Sequence, residues 1–355
     1  MSSPTTSARA RASTVLRAPY FWGIVAIVLL LAINTIRDPG YLAISVHPST
    51  GNLAGNLIDI LRASAPILMI AVGMALVVAT RGIDLSVGSV MVVAGAVSME
   101  FMSAQQSNSA GTALVALLLA LGISAGLGAV NGVLVSVVGL QPFISTLVMM
   151  LAGRGIAKVI TGGQNTTASN DSFRWIANGY VLGIPVVFVI AVLIVVAVAL
   201  LVRRSALGLM IESIGMDPQA ARLAGINRRA LLLTAYITSG LLAGIAGVFA
   251  TATVMTVDVS QTGYQLELDA ILAVVVGGTS LAGGKFSIAG AAVGAFLIAT
   301  LDKTVVFLGI SSSATPAFKA AVIVIVCLLQ SERVRAQIPK LRIVPRRAPK
   351  EVASA

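Results

Sequence analysis

Apolar runs long enough to cross a bilayer recur along the whole chain, divided by short polar breaks. That pattern predicts helical spans rather than a barrel of short alternating strands. About ten spans are expected: 21–36, 65–80, about 87–101, within 112–138, within 142–160, within 181–202, 231–251, 270–277 lengthened by residues before it, 288–308 and 318–329. The eighth is short enough to be partly re-entrant. Residues 37–62, with Pro39, Gly40, Pro48 and Gly51, are expected to form an external loop, with room for a short surface helix.

The longest polar interruption is 203–229, and it carries a short helix with both ends marked. Asp217 is a natural N-cap, Pro218 suits the first helical position, and Gly225 supplies a stop. Such a helix is only about 10 Å long. A helix of that length is unstable alone in water, so it must pack against something. The loop therefore reads as a docking element for a partner.

Composition supports an integral membrane protein. Of 355 residues, 57% are hydrophobic and 10% charged, whereas soluble domains carry about 25% charged residues. The net charge of +11 raises the question of nucleic acid, but the position of the charges answers it. Arg9, Arg11 and Arg17 precede the first span, and Arg203, Arg204, Arg222, Arg228 and Arg229 lie in the central loop. Arg333, Arg335, Lys340, Arg342, Arg346, Arg347 and Lys350 lie in the tail. This is the positive-inside pattern of a membrane protein, not a nucleic-acid surface. An even span count puts both termini and the central loop in the cytoplasm. The organisation expected is a disordered N-terminus (1–17), a transmembrane domain (18–330) containing the 203–229 loop, and a basic tail (331–355). One cysteine, Cys327, and one histidine, His47, supply neither a disulfide nor a metal site by the usual spacings. No cofactor is expected.

Nothing in the chain reads as catalytic. Gly283-Gly284-Lys285-Phe286 falls short of a phosphate loop, because Thr279 stands where the first glycine belongs and Phe286 replaces the magnesium-binding Ser or Thr. The chain is therefore not an ATPase. Candidate polar groups along a path are Asp84, Asn131, Gln141, Phe143 and Thr146. For Asp84 the competing reading is a structural link, pairing with Arg81 or capping the helix that begins near Leu85. Asn131, Gln141 and Thr146 suit sugar hydroxyls, yet such groups also join membrane helices to one another. Glu267 and Asp269 are read as capping the eighth span or meeting a binding protein, with capping preferred. Asp302 and Lys303 are read as neutralising each other or snorkelling outward, with sugar contact the minor reading.

Several of these stretches resemble one family. Gly82-Ile83-Asp84-Leu85-Ser86-Val87-Gly88-Ser89 is one. The loop from Ile214-Gly215 through Ala220-Ala221-Arg222-Leu223-Ala224-Gly225-Ile226 is another. Tyr264-Gln265-Leu266-Glu267-Leu268-Asp269-Ala270-Ile271 followed by Gly277-Gly278-Thr279-Ser280-Leu281-Ala282-Gly283-Gly284 is a third, with Asn131-Gly132 and Pro142-Phe143-Ile144-Ser145-Thr146-Leu147 as weaker patches. In order and spacing they are similar to the permease subunits of bacterial ATP-binding-cassette sugar importers, in the ribose, galactofuranose and branched-chain amino acid permease superfamily. The galactofuranose type looks nearest. The resemblance implies an all-α polytopic membrane protein of the type II importer kind. It further implies a dimer around a path, with a second permease subunit identical or paralogous. A cytoplasmic ABC ATPase would dock on the coupling residues Gly215, Asp217, Pro218, Ala220, Ala221, Arg222, Gly225 and Ile226. An extracytoplasmic sugar-binding protein would deliver a monosaccharide. Arg222, Arg228 and Arg229 would meet acidic groups on the ATPase or anionic membrane lipid. The alternative from the residues alone is an ion-coupled secondary transporter of a small polar solute, and the scarcity of charges within the spans argues against it.

Overall fold

A computed structural model describes residues 20–46 and 51–330. The expected polar N-terminus, His47, Pro48 and the basic tail lie outside the described residues. The fold is a helical bundle. Its helices are α1 (Phe21–Arg37), α2 (Asn56–Ala79), α3 (Val87–Gln105), α4 (Ala110–Val133, extended by a π turn Leu134–Val138) and α5 (Pro142–Ile160). They continue with α6 (Asp171–Asn178), α7 (Val186–Arg204), α8 (Leu207–Met216), α9 (Pro218–Leu223), α10 (Arg228–Val254), α11 (Leu266–Val276), α12 (Ile288–Phe307) and α13 (Thr315–Gln330). Three two-residue ladders tie loops together, including β1 (Ser45–Val46) with β2 (Leu53–Ala54).

Among the described residues seven helices, α2, α3, α4, α5, α7, α10 and α12, are long and apolar enough to cross a membrane. The helices α1 and α13 have 17 and 16 residues, and α11 has 11. At 1.5 Å rise per residue, α11 is roughly 16 Å long, about half of a bilayer core. The chain is thus a mainly helical polytopic membrane protein.

The bundle is built around α2, whose residues from Ala65 to Ala79 are buried except Pro66. A helix apolar on all sides belongs in the middle of a bundle. Around it lie α10, α12, α11 and α7, while α4 packs on α10 and α3. Polar side chains fasten helices at depth. Asn34 of α1 donates to the Thr304 hydroxyl of α12 at 2.8 Å, and both are buried.

Three expectations change. The second span begins at Asn56, not near residue 65, and the described part of the preceding loop carries the β1–β2 hairpin rather than a helix. The polar residues there join α2 because each has a partner. Asp59 pairs with Lys303 at 2.6 Å, and Arg62 donates to the Tyr180 hydroxyl at 2.7 Å. Second, Asp302 and Lys303 do not neutralise each other, since consecutive helical residues point about 100° apart. Lys303 turns to Asp59 and Asp302 to Lys319. Third, neither Glu267 nor Asp269 caps α11. Its N-cap position is Gln265, with no capping side chain, and both carboxylates lie in the first turn, where the helix dipole favours negative charge.

Candidate functional site

The marked helix forms as α9. The Asp217 carboxylate accepts the Gln219 and Ala220 N–H groups at 2.8 and 3.1 Å, satisfying two donors that a helix start leaves open. Pro218 takes the first position. These two backbone N–H groups, Ala220 foremost, hold the Asp217 carboxyl below the usual carboxylate range. At the other end Gly225 has φ +80°, its N–H donates to Arg222 O, and Ile226 N–H donates to Ala221 O, both at 3.0 Å. That pair of reversed bonds is a Schellman stop, which needs the left-handed conformation glycine adopts most readily.

A second short helix, α8, precedes it, where the polar 203–229 interruption predicts loop. Leu207, Met210, Ile211 and Ile214 of α8 fall at helical spacing, and Ile211 and Ile214 are buried. Ala221 of α9 is buried in a small cluster with Ile214 and with Leu231 of α10, against which Leu207, Met210 and Ile226 pack, while Ile211 joins the main core. The rest of α9 points outward. Gln219, Ala220 and Arg222 are exposed, as is Gly225 beyond the helix end. So are two apolar side chains outside the expected coupling set, Met216 at 55% and Leu223 at 90%. Met216 ends α8 while Leu223 ends α9, with the extended Asp217 between the two helices, so helical spacing in the sequence does not disclose that both are exposed.

This unit is fixed to the bundle by close backbone contact and one cation. A Cβ on Gly215 would overlap the Ala79 carbonyl oxygen and the Gly284 amide, so only glycine lets α8 meet the end of α2 and the 277–284 loop. Gly284 N–H itself donates to Ala79 O at 2.9 Å. The Arg81 guanidinium donates to the Gly215 and Met216 carbonyls at 2.6 and 2.5 Å, capping the C-terminus of α8 where α9 begins. Arg81 is therefore committed to α8, not paired with Asp84.

Asp84 lies three residues further on and is 2% exposed. Its carboxylate accepts the Ser86 N–H at 3.0 Å, the Ser86 hydroxyl at 2.5 Å and the Ser239 hydroxyl of α10 at 2.7 Å. Asn131 of α4 donates to the Ser86 hydroxyl at 2.8 Å, and Ser145 of α5 donates to Asn131 Oδ1 at 3.4 Å. Thr146 donates to the Ile83 carbonyl at 3.0 Å. The structure thus gathers Asp84, Asn131 and Thr146 around the 80–86 break, where they join four segments. It does not bring Gln141 and Phe143 to that network. Both are exposed at the start of α5. Among the described residues no three His, Cys, Asp or Glu side chains could hold a metal ion together.

The family model "branched-chain amino acid transport system / permease component" matches residues 56–328. The chain is 54% identical over 317 residues to the fructose import permease protein of Bifidobacterium longum, covering 88% of each chain. It is 40% identical over 310 residues to the galactofuranose transporter permease protein of Escherichia coli, covering 87% of this chain and 89% of that one. It is 38% identical over 315 residues to the ribose import permease protein of Escherichia coli, covering 87% and 93%. Identity to the fructose permease exceeds that to the galactofuranose permease, against the expected nearness to the latter. No solved structure matches the chain.

Proposed function

The chain belongs to the branched-chain amino acid transport system permease family, and on that premise we propose a full account of how it moves a monosaccharide. It is a permease subunit of an ATP-binding-cassette sugar importer and a multi-pass protein of the bacterial inner membrane. In the proposed arrangement ten elements cross or enter the membrane, counting α1, α11 and α13 beside the seven long helices, and both termini face the cytoplasm. The residue 18–330 domain is then the pathway-forming unit. The ends of α2 and α7 and the start of α10 carry Arg81, Arg203, Arg204, Arg228 and Arg229, which supports a cytoplasmic position for that face.

The observation that carries the reading is α9, capped at both ends, anchored at Ala221 and exposing Ala220, Arg222 and Leu223, with Met216 exposed at the end of α8 beside it. It would seat in a separate cytoplasmic ATPase, whose ATP-driven closure moves α8 and α9 together. A second permease subunit completes the path, and an extracytoplasmic binding protein supplies sugar. Such an importer works by shifting populations between outward and inward states, each stabilised by its own contacts. Asp84, Asn131 and Thr146 serve it as the joint beside the path, with Gln141 and Phe143 at its inner mouth. The relatives named for fructose, galactofuranose and ribose define the sugars to try first.

The test is reconstitution in proteoliposomes with the ATPase and binding protein, measuring uptake of those sugars with and without ATP. Uptake that needs ATP and both partners is expected. Uptake by this chain alone, driven by an ion gradient, would sink the reading.

A further inference from the structure

The end of the bundle opposite α9 holds a cavity of about 600 Å³ between α11, α12 and α13. One wall is an ionic triad contributed by all three helices. Lys319 of α13 donates to both oxygens of Asp269 of α11, at 3.2 and 2.9 Å, and to Asp302 of α12 at 2.8 Å. The three side chains are 15%, 11% and 38% exposed. The lining also includes the apolar Leu272 and Val324, and Tyr264 and Gln265 just before α11.

We infer that this cavity is a subsite for the hydroxyl groups of the travelling sugar, with Asp302 as its principal acceptor; the inference rests on the importer reading. The chemistry of the triad selects the ligand. An ammonium has three donors, and here all three are spent on the carboxylates. Two ionised carboxylates offer about eight lone-pair sites, so roughly five remain open to O–H donors. A metal or organic cation is disfavoured because the ammonium already occupies the position between the carboxylates. An anion is disfavoured by the carboxylate oxygens. A neutral molecule rich in hydroxyls suits what is left, with apolar Leu272 and Val324 for its C–H face. The volume lies within the range of small-molecule pockets, about 300–1,000 Å³.

The setting suits the role. Buried charges inside a membrane are costly and are retained where they face a cavity or a partner. The 258–265 segment leading to Tyr264 and Gln265 is held by Arg154 of α5, which donates to the Thr262 carbonyl at 2.9 Å. The same α5 carries Gln141, Phe143 and Thr146 toward its other end.

The test uses the full chain with its ATPase and binding protein, and the probes are fructose, ribose and galactofuranose with their deoxy analogues. Asp302→Asn keeps shape and spares the Lys319–Asp269 pair; Lys319→Gln is the harsher second variant. For the sugar that is transported, saturation-transfer NMR on the solubilised permease–ATPase complex should show about 2–10-fold weaker binding in D302N, the loss of one hydrogen bond. For the one deoxy analogue lacking the contacted hydroxyl, that penalty should vanish, which a purely structural triad would not produce. Wild-type affinity and sugar preference in both variants would overturn the inference while leaving the importer reading intact. So would release of the second permease subunit by D302N with sugar binding unchanged. Failure of the wild-type complex to take up any sugar would overturn both.

Discussion

Replacing Gly225 by valine should uncouple ATP hydrolysis from transport without preventing membrane insertion. The site separates two effects that usually act together. A Cβ at Gly225 would meet nothing within 4 Å, so the substitution creates no clash. Its φ of +80° is left-handed, however, and that conformation costs an L-residue about 1–2 kcal/mol. A β-branched side chain belongs at the upper end of that range. The strain falls on the two bonds that end α9, from Gly225 to Arg222 and from Ile226 to Ala221. Relaxing it by 1–2 kcal/mol would shift the population with an intact stop by about 5–30-fold. Because α9 has six residues and one buried side chain, it has little else to hold its end. The assay is sugar uptake per ATP hydrolysed in proteoliposomes, across Gly, Asn, Ala and Val at this position. Asn tolerates the left-handed region and should stay near wild type, Ala should fall between, and Val should lose most coupling. Normal coupling in G225V, or equal losses in G225N and G225V, would refute the backbone argument.

Gly215→Ala should destabilise the chain by about 1–3 kcal/mol, since its Cβ meets backbone rather than a movable side chain; an unchanged thermal midpoint of the solubilised protein would contradict this. Arg81→Lys keeps the charge but not the two-pronged grip on Gly215 and Met216, so uptake per ATP should fall partly in R81K and further in R81A. Equal ratios in the three proteins would remove Arg81 from the account. Asp217 has a depressed carboxyl pKa, so its cap is complete above the ordinary carboxylate range near pH 4 and is lost as pH falls through the lower folded value. Hydrogen-exchange protection of the Gln219 and Ala220 amides should therefore decline on acidification in wild type and stay level in D217N, which caps without ionising. An equal decline in D217N and wild type would be the failing result.

Much of α9 was legible because its signals are local: Asp217-Pro218 at one end and Gly225 at the other act through bonds spanning five residues or fewer. Its neighbour α8 was hidden because Gly208, Glu212 and Gly215 dilute the apolar pattern. What makes Gly215 necessary is the Ala79 carbonyl, far away in sequence. The same limit applies to charge. Asp302 and Lys303 are adjacent, but their partners come from other helices, so only the fold could disclose them. Asp84 announced itself as a polar residue at a break between apolar runs. Its engagement with Ser239, 155 positions away, did not. The shortness of α11 was visible as a truncated apolar run, whereas the Lys319–Asp269 pair at its first turn needed the bundle to form.

The 80–86 break connects the two halves of the site, and its length determines what it can transmit. Arg81 grips the end of α8 from the exposed side, while Asp84 is buried against Ser239 and Ser86. Three residues span at most about 10 Å when fully extended, so little slack separates the two anchors. On the proposed reading, a docked ATPase that displaces α8 and α9 must either drag Arg81 or break its bonds to Gly215 and Met216. Dragging Arg81 loads the Ile83 carbonyl held by Thr146 of α5 and the Ser86 hydroxyl held by Asn131 of α4. On that reading the load passes to α4 and α5. The buried polar cluster then serves less as a sugar contact than as a joint, and hydroxyl recognition falls to the cavity at the far end of the bundle.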